Sequence, residues 1–184
     1  SSYSYYCGIF KYFFVIIFML SGVSNAVNLT DGMDGLAGGT VILALVPYAF
    51  FAYKLNQLPL LLLILAILGS MIAFLFYNVK PARIFMGDVG SLSLGAMLAA
   101  VAIVLGQELS LVIIGLIFVL ETLSVIIQIG SVKIRGKRVF PYTPIHYSFT
   151  IWGIKEKNVV YMFWAVGFIL LIIGFSIIGL IQED

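Results

Sequence analysis

Charge is what this sequence has least of: 10% of its 184 residues are Asp, Glu, Lys or Arg, where a soluble domain carries about a quarter. A chain so poor in charge and 62% hydrophobic has no surface left to meet water, which excludes an ordinary soluble domain. The lone cysteine, Cys7, excludes an internal disulfide and leaves the redox compartment open. Period-two alternation is missing from the apolar runs, which favours helices over barrel strands. The net charge of +2 offers no strong field, and nucleic acid is not an expected partner.

What the chain does have is long continuous apolar runs, at 9–27, 39–54, 59–77, 91–106, 109–131 and 158–181. Each is near the roughly 20 residues that span a bilayer as a helix. The expectation is an all-α, polytopic transmembrane helical bundle of six spans, one integral-membrane domain over residues 1–184. The connections Leu55 to Leu58 and Gly106 to Glu108 are so short that their flanking helices must be antiparallel neighbours.

Six spans put residues 28–38, 78–90 and 132–157 on one side, and both short turns and both chain ends on the other. Lys80, Arg83, Lys133, Arg135, Lys137, Arg138, Lys155 and Lys157 fall on the first side, leaving Lys11 and Lys54 for the second. By the positive-inside rule the first side is cytoplasmic and both termini are outside. Val23 to Ala26 could pass for a cleavage site after a signal peptide, but cleavage would strand Asn28 to Asp34 across the membrane from the other polar loops. The sequence has no initiating Met and is expected to be a segment of something longer.

Three polar constellations lie at the expected cytoplasmic ends. In the first, Asn28, Asp31 and Asp34 recur every third residue and point along one side if the backbone turns helically. Gly32 and Gly35 let that backbone bend and approach a ligand closely. Carboxylates and amides suit a metal or ribose hydroxyls, and free backbone N–H groups suit phosphate. The plain alternative is a Gly/Asp turn, which needs far fewer polar residues than this.

In the second, Pro81 stops a helix, Lys80 and Arg83 offer cations, and Asp88 sits beside Gly87 and near Gly90 just before the next span. Asp88 followed by Gly-Ser could equally be an N-cap worth about 1 kcal/mol. In the third, the basic residues from Lys133 to Arg138 could be topogenic charge alone. His146, the only histidine, sits in a Pro-stiffened loop on the same side as the carboxylates and can bind phosphate or move a proton. Glu121 and Gln128 lie seven apart on one helical face inside an apolar run. At a cost of about 3 kcal/mol at mid-membrane, an ionisable group there must face protein or a cavity, and an interhelical hydrogen bond and a functional role explain it equally well. The small-residue spacing Ser91 to Gly95 reads as helix packing.

Taken in order, Asn25 to Ala37, Pro81 to Ser91, Glu121 to Gln128 and Pro144-Ile-His146 resemble the bacterial phospho-N-acetylmuramoyl-pentapeptide transferase family. That family sits in the superfamily of polyprenyl-phosphate N-acetylhexosamine-1-phosphate transferases, and the Pro-Ile-His context favours the muramoyl branch. The resemblance implies Mg2+-dependent transfer of phospho-MurNAc-pentapeptide from UDP-MurNAc-pentapeptide to undecaprenyl phosphate, giving lipid I and UMP for peptidoglycan. It implies a multi-pass protein of the bacterial inner membrane, with the bilayer as a partner, a cytoplasmic active site, and compatibility with a homodimer. By position it makes Asp88 the Mg2+ ligand, with Asp31 and His146 also catalytic. Asn28, Asp34 and Gly87 become nucleotide and diphosphate contacts, Phe85 a stacking platform for uracil with Asn78 nearby, and Arg138 a diphosphate or sugar-side partner of His146.

Two departures stand out. Tyr147 and Ser148 follow His146 where the family shows further histidines. The family also has about ten spans and an Asp-Asp motif ahead of this region, so the chain resembles its C-terminal part, lacking an N-terminal segment of the same enzyme. Two other readings remain: a sister transferase using UDP-GlcNAc, and a membrane transporter. A transporter should place polar residues at mid-bilayer in two related halves, and no such repeat is visible.

Overall fold

A computed structural model describes the backbone of residues 2–181 and the side chains of residues 12–177. Cys7 and Lys11 lie outside the described side chains. Eight helices follow one another among the described residues: α1 (Ser2–Thr30), α2 (Leu36–Lys54), α3 (Leu58–Asn78), α4 (Gly87–Val104), α5 (Glu108–Ile114), α6 (Leu116–Arg135), α7 (Ile145–Ile151) and α8 (Glu156–Ile181). Six of them are long and apolar enough to cross a membrane. The chain is therefore a multi-pass helical membrane protein, the architecture in which a backbone crossing lipid finds its hydrogen bonds locally.

The helix ends follow local chemistry. Pro59 sits in the first turn of α3, where its missing N–H costs nothing. Gly136 ends α6 in the left-handed conformation at φ 65°. The expected fifth span is interrupted: Gly115 separates α5 from α6, and its N–H closes the last turn of α5 on the Leu111 carbonyl at 2.8 Å. A Cβ there would lie 2.7 Å from that same carbonyl, so only glycine lets the chain turn so tightly. The long loop expected over 132–157 contains the short helix α7, and the loop expected over 28–38 shrinks to five residues between α1 and α2.

Helix α2 is the central post, buried over 67% of its span and packed against α1, α3, α4 and α8. Helix α1 lies along α4 and also touches α6, while α5 lies on α8. The α1–α4 contact is close: a Cβ on Gly95 would come 2.6 Å from the Ser24 Cα, and Ser24 Oγ donates to the Leu92 carbonyl at 2.7 Å. Small residues at such crossings gain van der Waals contact, which is what draws helices together in lipid. Leu45, Tyr48, Leu98 and Ile114 belong to the main core. A second cluster, with Met33, Leu36, Ile117, Val159 and Phe163, packs beneath the turn between α1 and α2.

Candidate active site at one end of the bundle

The loops joining α1 to α2, α3 to α4 and α6 to α8 meet at one end, and their polar side chains stitch them together. Asn28, in the last turn of α1, donates through Nδ2 to Asp88 Oδ1 at 3.0 Å and to Ser91 Oγ at 2.9 Å. Asp34 Oδ2 accepts from the Ala82 N–H at 3.2 Å. Lys80 pairs with Glu156 at the start of α8. From the third loop, Tyr147 Oη donates to the Gly32 carbonyl at 3.0 Å. Trp164 of α8 donates through Nε1 to the Gly35 carbonyl at 3.1 Å, sitting where Gly39 has no Cβ.

Asp88 lies in the first turn of α4, which begins at Gly87 with φ 64°; Met86 occupies the N-cap position and no side chain caps the helix. The cap alternative therefore gives way: Asp88 is exposed, held through one oxygen by Asn28, and free to serve the adjacent turn. That turn carries Asp31, half-buried, whose carboxyl is pushed up to about 6 by burial and then by the negative charge of Asp88. Two carboxylates that raise each other's cost of ionisation would be relieved by a nearby positive charge. Among the described residues no three His, Cys, Asp or Glu side chains enclose a metal on their own. A pair of carboxylates is nonetheless what a hard cation uses when substrate phosphates complete its shell. A cation bound there would compete with the proton on Asp31, so its binding would strengthen as pH rises through about 6.

The other candidate residues divide. Asn78 is 4% exposed and both ends of its amide are bonded, accepting from the Gly35 N–H at 3.0 Å and donating to the Ile84 carbonyl at 2.9 Å. It joins the first two loops rather than opening toward a ligand. Phe85 is 76% exposed on the loop that Asn78 anchors, its ring available for stacking. Arg138 is exposed on the segment after α6, and the structure joins it to none of the others by hydrogen bond or ion pair. That segment is held by Gln128, whose Oε1 accepts from Val139 and Phe140 N–H groups and whose Nε2 donates to the Phe140 carbonyl.

His146 is fully buried, its Nδ1 3.1 Å from Glu121 Oε2 on α6, and Glu121 is fully buried as well. The interior glutamate thus meets the loop histidine, a pairing that sequence reasoning missed because 25 residues separate them. Gly32 also proves to serve the fold: a Cβ on it would lie 2.3 Å from His146 Nε2, so its bareness admits the imidazole rather than a ligand. Tyr147, marked in the sequence only as a departure from the family's histidines, and Trp164, which carried no signal there, grip the two ends of the acidic turn. Burial raises the Tyr147 hydroxyl above its ordinary value, keeping it a donor.

Residues 2–106 match glycosyl transferase family 4. The chain is 51% identical over 166 residues to phospho-N-acetylmuramoyl-pentapeptide-transferases of Bacillus cytotoxicus, Bacillus thuringiensis strain Al Hakam and Bacillus cereus strain AH187. In each case the match covers 90% of this chain and 51% of the relative, so the chain spans about half the length of the curated relatives it matches.

Proposed function

The chain belongs to glycosyl transferase family 4, and on that premise we propose that it carries the nucleotide-sugar half of a phospho-N-acetylmuramoyl-pentapeptide transferase. In this reading the donor is UDP-MurNAc-pentapeptide, the acceptor is undecaprenyl phosphate, and the products are lipid I and UMP. The observation that carries it is the meeting of Asn28, Asp31 and Asp88 from two helix junctions at one end of an apolar bundle. A soluble anionic donor and a lipid-borne acceptor can share only a site of that kind.

Asp88 and Asp31 would hold Mg2+, and Asn28 keeps Asp88 turned toward it. Bound there, Mg2+ supplies positive charge to the diphosphate while the acceptor phosphate displaces UMP. Phe85 offers its face to the uracil, Arg138 its guanidinium to the diphosphate side, and the backbone after Gly87 opens toward phosphate at the start of α4. The test is UMP release by the chain, alone and co-expressed with the upstream segment that the resemblance implies, with UDP-MurNAc-pentapeptide and UDP-GlcNAc as rival donors. Turnover of UDP-GlcNAc alone would move the assignment to the sister transferase.

Phe85→Ala should raise the donor KM about tenfold or more and change kcat much less, since loss of a base-stacking aromatic costs roughly 1–3 kcal/mol felt alike in ground and transition states. An unchanged KM with lowered thermal stability would make Phe85 a membrane-interface aromatic instead. The site end should be cytoplasmic, because eight basic residues cluster there against Lys11 and Lys54 at the other end. In a Cys7→Ser background, a cysteine at Gly136 should resist an impermeant thiol reagent in intact cells and react in inverted vesicles. Labelling in intact cells would reverse the topology.

A further inference from the structure

The Glu121–His146 pair is fully buried behind the acidic turn, and its geometry restricts what the imidazole can do. We infer that Glu121 is a positioning residue that holds His146 as the Nδ1–H tautomer, so that Nε2 is presented to the Asp31–Gly35 turn as a lone-pair acceptor.

An ionised carboxylate only accepts, and a neutral imidazole has one donor nitrogen and one acceptor. With Glu121 Oε2 3.1 Å from Nδ1, the proton that makes this bond belongs on Nδ1. The other nitrogen points the same way. Nε2 is buried and without a hydrogen-bond partner, faced by the bare Cα of Gly32. A proton placed on Nε2 would orphan a buried N–H donor, the costlier of the two unsatisfied states, and would require a protonated Glu121 to face Nδ1. Glu121 Oε1 is likewise without a partner, so the bond from Nδ1 is the hydrogen bond that this carboxylate makes. Both side chains are fully buried, so water does not compete for it.

The tautomer limits the chemistry. A bare Nε2 cannot donate to an ionised phosphate; it takes a hydrogen bond or a proton from a hydroxyl or from a protonated phosphate. Such a group reaches it when the Gly32 peptide yields, and that peptide is gripped there by the Tyr147 hydroxyl. What meets Nε2 rests on the proposed function; the tautomer does not.

The chain contains a single histidine, so nitrogen-15 NMR of the full chain, labelled with [15N]histidine and purified in micelles through a histidine-free tag, reports on His146 alone. The expected spectrum shows a one-bond N–H coupling at Nδ1 and a bare Nε2. Glu121→Asp should keep that signature, and Glu121→Leu should lose it while helix content is unchanged. Protonation at Nε2 in the wild type, at either one or both nitrogens, overturns the inference, as does an Nδ1–H signal that survives Glu121→Leu. The wild-type spectrum decides the matter even where the leucine variant fails to fold. A chain that turns over neither donor would sink the proposed function and leave this readout untouched.

Discussion

Asp88→Asn should cost at least about a hundredfold in UMP release, the scale on which losing one preorganised electrostatic group is felt. The amide keeps the shape and can still accept from Asn28 Nδ2 through its oxygen, so the stitch between α1 and α4 survives. Asp88 is not the N-cap of α4, and it is exposed, so little stability is at stake. What the substitution removes is charge, which a hard cation needs from its ligands. The activity left over should require more Mg2+ to saturate, and thermal stability should be close to wild type. Wild-type turnover in the active assembly would remove the metal role from Asp88.

Gly32→Ala should be severely damaging for the addition of a single methyl. The new Cβ would lie 2.3 Å from His146 Nε2 and 2.8 Å from the Tyr147 hydroxyl. Neither neighbour can swing away: the imidazole is fully buried against Glu121, and the hydroxyl is bonded to Gly32's own carbonyl. The acidic turn must move instead. Overpacking of this kind costs about 1–3 kcal/mol, which corresponds to a fall in thermal midpoint of roughly 2–12 °C for a chain of this size. Activity should fall further than stability, because the same turn carries Asp31 and Asp34. Gly69→Ala is the control, since a Cβ there meets nothing within 4 Å and helix α3 should gain slightly. Equal effects of the two substitutions would show that Gly32 is an ordinary loop glycine.

Several features needed nothing but the order of residues. Apolar run length alone implies six spans, because a helix of about 20 apolar residues is the cheapest way to carry a backbone through lipid. The motifs around Asn28, Asp31 and Asp88 could be singled out because polar residues at the ends of such runs demand a reason. Their shared side followed from the parity of the spans. Where local chemistry competes with hydrophobicity the reading was weaker. Leu109 to Ser131 looks continuous by composition, yet Gly115 breaks it, and Ile145 to Ile151 coil into a helix inside what composition presents as a basic loop.

Only the tertiary structure decided which of these residues meet. Asn28 and Asp88 are 60 residues apart, Glu121 and His146 25, and Tyr147 and Gly32 115. Hydropathy and periodicity describe each helix against its solvent and say nothing about which faces of different helices come together. Those contacts are set by close packing, by the notches that Gly32, Gly39 and Gly95 leave for a neighbour, and by the hydrogen bonds that most buried polar groups must find. The sequence thus determined a six-span membrane protein with a polar end, while helix packing determined that Asn78 and Gly32 serve the fold and that His146 answers to Glu121.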